Sequence, residues 1–443
     1  MADKLLSVGL DVGTTSTQMV LSELLIENRA SAFSVPELEI SHRTVLYKSP
    51  VHFTPLLHGD LVDGEGIRSI VTAEYAAAGI TRESVDTGAI IITGETSRKE
   101  NAAAVLQSLS DFAGDFVVAT AGPDLESVLA AKGAGAVDFS AETGKTVLHM
   151  DIGGGTSNLA LIENGKITAT GCLNVGGRLL KFDKNGAISY ISPVLPGIFQ
   201  GKVGEVPSSC QLNALAEALA SALEMAAGLR SKTPLLDALW TKEAGPIWAA
   251  IPADIVISFS GGVADCIETG QADLAFGDIG PILGRAIRRS RLCQGEYRLG
   301  SETIRATVIG AGCYSAQLSG STVFHQNVDF PMKNLPVVTE LSALAALDSP
   351  GVLALPGIQA GHYGDILALA DKIAEKRPEG PVRIALEADM AKALGHALAL
   401  RFPKDAEILC IDRVKIPAHS YLDIAAPVGS ALPIVVKTLI LSR

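Results

Sequence analysis

Cysteine is scarce in this 443-residue chain. Its six thiols (Cys172, Cys210, Cys266, Cys293, Cys313, Cys410) form no C-x-x-C pair. That excludes a zinc-ribbon pattern and a dense disulfide framework, and each thiol is expected to pack inside a protein kept in a reducing cytosol. Long apolar runs are missing too: no stretch approaches the roughly 20 residues that span a bilayer. The opening MADKLLSVGLDVG has Asp3 where a secretory signal carries basic residues, and Asp11 interrupts the apolar stretch, so no signal is expected. Positive charge is in deficit, with 36 Lys+Arg against 48 Asp+Glu and a net charge of −12. Such a surface repels phosphate backbones and anionic lipid, which argues against nucleic-acid or membrane-surface binding. A mean hydropathy of +0.32 with 48% hydrophobic residues is the reverse of a disordered composition. At about 150 residues per domain, the chain has room for about three domains.

What is present is an internal echo. LDVGTTSTQMVL at 10–21 aligns without gaps on MDIGGGTSNLAL at 150–161, so that Asp11 meets Asp151, Gly13 meets Gly153, and Thr14, Thr15 and Ser16 meet Gly154, Gly155 and Thr156. Each copy follows one β-rich run and precedes another, which reads as a hairpin with a turn of Gly, Thr and Ser. An offset of 140 residues is far too long for a solenoid or propeller, so it predicts two related lobes with a cleft between them.

Elsewhere the chain alternates helix and strand. Between the copies come a strand at 89–94, a helix pattern from Glu95, a short strand DFVVAT, and a helix that starts at Pro123 and ends at Gly133. After the second copy, Asn164-Gly165 marks a hairpin, and the Pro- and Gly-bearing stretch 183–207 predicts loops and short strands. A helix over 212–229 and the strand DIVISFS follow, the latter ended by Gly261-Gly262. TIRATVIGAGCYSAQLSG reads as a β-branched opening, a Gly-x-Gly break at Gly310 and Gly312, and a short helix. Prolines cluster from Pro331, so a boundary is expected near 325. The expected organisation is a first lobe at 1–145, a second at 146–325, and a C-terminal α/β unit at 326–443.

A tight turn of small residues presents successive N–H groups, and its hydroxyls add donors, as a phosphate site requires. Asp11 and Asp151 would repel a bare phosphate. A hydrated Mg²⁺ between them resolves this, because Mg²⁺ favours carboxylates, waters and phosphate oxygens. Either turn alone is as readily a plain strand connection; the repeated pair favours a clamp on a nucleotide's phosphate chain. In SFSGGVADC, Gly261 and Gly262 leave room for a base or ribose to approach the backbone.

In this order the motifs resemble those of the actin, sugar-kinase and seventy-kilodalton heat-shock chaperone ATPases: DVGTTST and DIGGGTSNLAL as phosphate motifs, the Pro123 helix and TVIGAGCYSAQLSG as connecting motifs, SFSGGVA as the adenosine motif. VGLDVGTTSTQMVLSEL, ITGETSRKENA and IRATVIGAG with LSGST further resemble the ethanolamine ammonia-lyase reactivating factors, a likeness that spans nearly the whole chain. It implies a two-lobed actin-like α/β fold with a C-terminal α/β extension. It also implies an ATP- and Mg²⁺-dependent chaperone that helps the adenosylcobalamin-dependent ethanolamine ammonia-lyase exchange a damaged cobalamin for an intact one, in the cytoplasm or with a bacterial microcompartment.

By the same resemblance Asp11 and Asp151 hold Mg²⁺ through water, Gly13, Thr14, Thr15, Ser16, Gly153, Gly154, Gly155 and Thr156 hold phosphates, and Gly261 and Gly262 meet the adenosine. The heat-shock chaperones carry a glutamate where this chain has Gly122, which leaves Glu126 or Asp151 to polarise the attacking water and implies a slow ATPase that switches shape. A small-molecule kinase and an actin-like filament protein remain open alternatives on the same fold.

Other residues are read more plainly. His149 shares a strand face with Asp151, as a packed histidine or as support for the metal site. Arg285, Arg288, Arg289 and Arg291 form a solvated helix face or a contact for phosphate or an acidic partner. Trp240 and Trp248 are expected in packing, and His42, His52 and His58 as loop histidines.

Overall fold

A computed structural model describes residues 3–13, 16–28, 38–57, 61–93, 105, 117–120, 122–241, 255–314, 316–318, 323–346, 351–358, 362–414, 416, 420–424, 426–427 and 432–438. The first sheet is built from β1 (Asp3–Val12), β2 (Ser16–Asn28), β3 (Leu38–Lys48), β4 (His52–Phe53), β5 (Thr87–Ile92) and β6 (Val117–Thr120). Its order is β3-β2-β1-β5-β6, with β4 added to β2. A second sheet uses β7 (Val147–Ile152), β8 (Ser157–Glu163) and β9 (Lys166–Leu173); after the small hairpin of β10 (Leu180–Phe182) and β11 (Ile188–Ile191), it is completed by β12 (Val256–Ser260) and β13 (Tyr297–Leu299).

Read outward from the hairpin, the two sheets are one design used twice. β9-β8-β7-β12-β13 repeats β3-β2-β1-β5-β6, with two antiparallel pairings followed by two parallel ones in both. The register agrees as well: Asp11 lies opposite Gln18, and Asp151 opposite Asn158. This is the duplicated α/β architecture that the internal echo and the superfamily resemblance imply. The strands β5 and β7 are buried along their whole length; β5 ends in an apolar run with no alternation, whereas β7 carries His149 and Asp151 among its apolar residues.

Two helices tie the sheets together. The helix Pro123–Gly133 packs on β7, β8 and β9, while the helix Ala306–Tyr314 packs on β1, β2 and β5, and the two helices lie against each other. Here the structure corrects the sequence reading: Gly310 and Gly312 do not break the chain but sit inside the Ala306–Tyr314 helix. Glycine is required there by proximity. A Cβ on Gly310 would stand 2.0 Å from the Leu129 carbonyl oxygen, and one on Gly133 would stand 1.9 Å from that of Ala306.

Beyond these elements, an eight-stranded sheet of order β14-β21-β20-β16-β17-β18-β19-β15 is formed by β14 (Ala316–Leu318), β15 (Phe324–Gln326), β16 (Met332–Val338), β17 (Val352–Leu355), β18 (Val382–Leu386), β19 (Ile408–Ile411), β20 (Ser420–Ile424) and β21 (Pro433–Thr438). The helices Tyr363–Lys376 and Ala391–Ala399 accompany it, as their periodicity predicts. Asn164 and Gly165 both take positive φ, 49° and 73°, as an Asn-Gly hairpin turn demands. All six cysteines are free; five are buried, but Cys210 is exposed, so packing does not account for that thiol. The helix pattern from Glu95 lies outside the described residues except for Val105, as does Trp248. Among the described residues no helix is long and apolar enough to cross a membrane.

Candidate functional site

The hairpin turns close in the same way. Gly13 N–H donates to the Ser16 carbonyl at 2.9 Å, and Gly153 N–H donates to the Thr156 carbonyl at 2.9 Å. Thr54 secures the first turn by donating to the Gly13 carbonyl at 2.7 Å. In the second, the Gly153 and Gly154 carbonyls accept from Gly177 and Arg178 N–H at 3.0 and 2.6 Å. Thr14 and Thr15 lie outside the described residues. The Gly261 turn abuts the second hairpin: Gly261 adopts φ of 87°, and a Cβ there would fall 2.3 Å from the Ile152 carbonyl oxygen, so only glycine fits. Gly262 is open, with Ile304 Cδ1 nearest at 3.8 Å.

Each hairpin carries its aspartate at the strand end, and each aspartate accepts from a hydroxyl on the neighbouring parallel strand or just past it. Thr93 Oγ1 donates to Asp11 at 2.9 Å, and Ser260 Oγ donates to Asp151. Thr307, on the connecting helix, adds a longer contact to Asp151 at 3.4 Å. Burial raises both carboxyls against these hydrogen bonds. Asp11 retains some solvent contact, yet the protein crowding it pushes it up to about 7, with the charge of Asp151 adding to the rise; Asp151 is pushed up to about 6. The Asp151 charge thus acts on Asp11, which puts the two carboxyls within electrostatic reach of each other.

Behind Asp151 runs a hydrogen-bond chain that the sequence did not disclose. Ser260 Oγ also meets His149 Nε2 at 2.9 Å, and His149 Nδ1 meets Ser258 Oγ at 3.1 Å. Desolvation drives His149 down to about 3, so the ring is neutral. Since Ser260 donates to Asp151, the ring's Nε2–H donates to Ser260, and Ser258 donates to Nδ1. His149 thus supports the site at one remove and does not merely fill space.

The residues opposite the aspartates complete the set. Gln18 donates through Nε2 to the Ile304 carbonyl at 3.3 Å, and Asn158 donates through Nδ2 to Glu126 Oε2 at 2.7 Å. Among the described residues the remaining amide oxygens, Gln18 Oε1 and Asn158 Oδ1, are buried without a partner. A carboxylate beside an orphaned amide oxygen in each lobe is an all-oxygen donor set, which fits a hydrated Mg²⁺ that binds one or two carboxylates and keeps its waters. Among the described residues no group of three or more His, Cys, Asp or Glu side chains gathers into a denser cation site.

Glu126 is therefore brought beside Asn158 and the second hairpin. The arginine cluster is not part of this site. Arg285 pairs with Asp273, Arg288 with Glu268, and Arg291 Nη1 donates to the Leu229 carbonyl at 2.8 Å. Trp240 packs against the second lobe's core, as expected. Two of the histidines read as loop residues lie in strands instead: His52, in β4, pairs with Glu74 at 2.7 Å, and His42, in β3, has Nδ1 3.2 Å from the Ser41 carbonyl, while His58 lies outside the described residues.

The raised carboxyls give a pH dependence whose sign is fixed. In EDTA, protons bind Asp11 and Asp151 more tightly in the folded state than in the unfolded chain, so the contribution to stability is lost as pH rises through about 6 to 7. His149, neutral when folded and titrating near 6.5 in the unfolded chain, opposes this weakly just above pH 6.5 and negligibly above about 7.5. Scanning calorimetry in EDTA is expected to show stability falling between pH 6.5 and 8 by roughly 1.4 kcal/mol or less per group per pH unit. The Asp11→Asn/Asp151→Asn double variant should flatten that slope; an unchanged slope would refute the assignment.

The model of the family described as ethanolamine utilisation protein EutA matches residues 3–346 and 343–442. The chain belongs to this family. It is 40% identical to the ethanolamine ammonia-lyase reactivase EutA of Salmonella typhimurium, over 98% of each chain, and 40% identical to the protein of the same name from Escherichia coli K12, again over 98% of each. Among solved structures it is similar to the ethanolamine utilization protein EutJ of Carboxydothermus hydrogenoformans, with 18% identity, 70% of this chain and 89% of that chain covered, and a TM-score of 0.36.

Proposed function

We propose that this EutA-family chain is an ATP- and Mg²⁺-dependent reactivase of ethanolamine ammonia-lyase, promoting exchange of a damaged cobalamin for intact adenosylcobalamin. The observation that carries the reading is the likeness, end to end, to two proteins that bear the reactivase name. The duplicated turns with their paired aspartates support the nucleotide part of it.

In this reading residues 1–145 and 146–325 are two jaws on one nucleotide, and 326–443 extends them. The turns at Gly13–Ser16 and Gly153–Thr156 supply N–H and hydroxyl donors to phosphate oxygens. Gly261 makes the tight turn and Gly262 leaves the backbone open, so that the pair would meet the adenosine. Asp11 and Asp151, with Gln18 and Asn158 beside them, would hold Mg²⁺ through its waters. When bound, the ion neutralises phosphate charge next to the carboxylates. Thr93 and Ser260 orient the carboxylates, and the His149 chain fixes Ser260. Glu126, held by Asn158, and Asp151 are the groups placed to accept a proton from an attacking water. Because Thr307 reaches Asp151 from a helix packed on the first sheet, a change at the phosphates is felt in both jaws, as a slow shape-switching ATPase requires. The same reading puts the protein wherever its lyase is housed, the cytoplasm or a bacterial microcompartment.

The test is to mix the protein with cyanocobalamin-inhibited ethanolamine ammonia-lyase, free adenosylcobalamin, ATP and Mg²⁺, and to follow cobalamin release and deamination. Recovery that needs ATP is expected. No recovery with a folded, ATP-binding protein would overturn the reading.

A further inference from the structure

The second phosphate turn has a neighbour that no sequence motif marked. The segment Gly176-Gly177-Arg178 is threaded against it so closely that side chains are excluded. A Cβ on Gly176 would lie 2.3 Å from the Gly154 carbonyl oxygen, and one on Gly177 would lie 3.0 Å from Gly280 Cα. The Gly177 and Arg178 N–H groups take the carbonyls of Gly153 and Gly154. With those carbonyls turned toward this segment, the N–H groups of Gly154 and Gly155 have no acceptor among the described residues.

Arg178 then lays its stem over the turn, with Cδ, Cβ and Cγ 3.2 to 3.5 Å from the point where Gly154 would carry a Cβ. Its Nε donates to Asp278 Oδ2 at 3.2 Å. Asp278 is buried, and its other oxygen accepts from Gly280 N–H at 2.8 Å, so the carboxylate is itself fixed. The two terminal guanidinium nitrogens have no partner among the described residues, and the side chain is 29% exposed. An arginine held by Nε alone, beside a turn whose N–H groups have no acceptor among the described residues, has its fork free for an anion of matching geometry.

We infer that Arg178, positioned by Asp278, is a phosphate clamp of the second turn, binding phosphate oxygens of the nucleotide's polyphosphate chain and setting the preference for nucleoside triphosphate over bare nucleoside. This rests on the nucleotide reading above. A charge-assisted pair is worth about 1.5–3 kcal/mol, or about 10- to 100-fold in affinity.

Calorimetric titration of the full chain with Mg-ATP and with adenosine tests it, on wild type, Arg178→Ala, Arg178→Lys and Asp278→Asn. Arg178→Ala is expected to weaken Mg-ATP by about 10- to 100-fold with adenosine unchanged. Arg178→Lys keeps the charge without the fork and should fall between. Asp278→Asn keeps a carbonyl oxygen for Gly280 N–H while loosening Arg178, so it should lose part of the triphosphate preference. Equal Mg-ATP affinity in wild type and Arg178→Ala would overturn the clamp and leave the nucleotide reading standing. An equal loss for ATP and adenosine would show a purely structural role and overturn it too. Failure of the wild type itself to bind Mg-ATP would overturn the nucleotide reading and the clamp with it.

Discussion

Asp151→Ala is expected to abolish ATP-dependent recovery of the inhibited lyase and to weaken Mg-ATP by more than about 100-fold, beyond the 10- to 100-fold typical of groups that only orient a metal ligand. The reason is the concentration of support on this one carboxylate. Ser260 and Thr307 donate to it, His149 fixes Ser260, and Asn158 stands opposite it in register with its amide oxygen unpartnered among the described residues. Removing the carboxylate leaves those groups aimed at nothing. Ser260→Ala should cost only about 10-fold, because Asp151 remains and loses orientation alone. Measuring reactivation and Mg-ATP affinity on both variants checks the ranking; equal effects, or none, would place the chemistry elsewhere.

The second large effect is mechanical. Gly133→Ala and Gly310→Ala each drive a methyl group into a backbone carbonyl of the opposing helix, at 1.9 and 2.0 Å. No rotamer relieves such a contact, so the helices must separate at the point where the first sheet's helix meets the second's. Each substitution is expected to cost on the order of 3 kcal/mol, the upper range for overpacking, and to lower the midpoint of thermal unfolding by several degrees. The double variant should cost less than the sum, because one displacement relieves both clashes. Gly364→Ala, at a helical position with nothing within 4 Å, is the control and should change stability by less than about 1 kcal/mol. Thermal unfolding of the four variants decides the matter; a Gly310→Ala protein as stable as wild type would contradict the crossing.

Much of this was legible in the sequence because it is local. Asp11 and Asp151 stand at strand ends beside turns made of small residues, and turn chemistry is written within a few positions. The 140-residue echo announced the duplication, and the strand order of both sheets repeats it. What was not legible depends on pairing across long separations. Nothing near Asp11 names Thr93 as its donor; the parallel register of β1 with β5 does. Ser260 reaches Asp151 because the two residues are opposed across β7 and β12. Gly310 and Gly312 looked like a break because glycine disfavours helices, and only the approach of Leu129 and Gly9 shows why glycine is tolerated there. Arg178 had no motif. Its one signal was the preceding Gly176-Gly177, a pair that invites the question of what the backbone is pressed against.

The claim on which the rest depends is that two turns, 140 residues apart, form one nucleotide site. Isothermal titration of the wild type, Asp11→Ala and Asp151→Ala with Mg-ATP tests it most directly. One nucleotide per chain is expected for the wild type, with binding lost in each single variant because either turn alone is half a clamp. Two nucleotides per chain, or one single variant that keeps wild-type affinity, would contradict it.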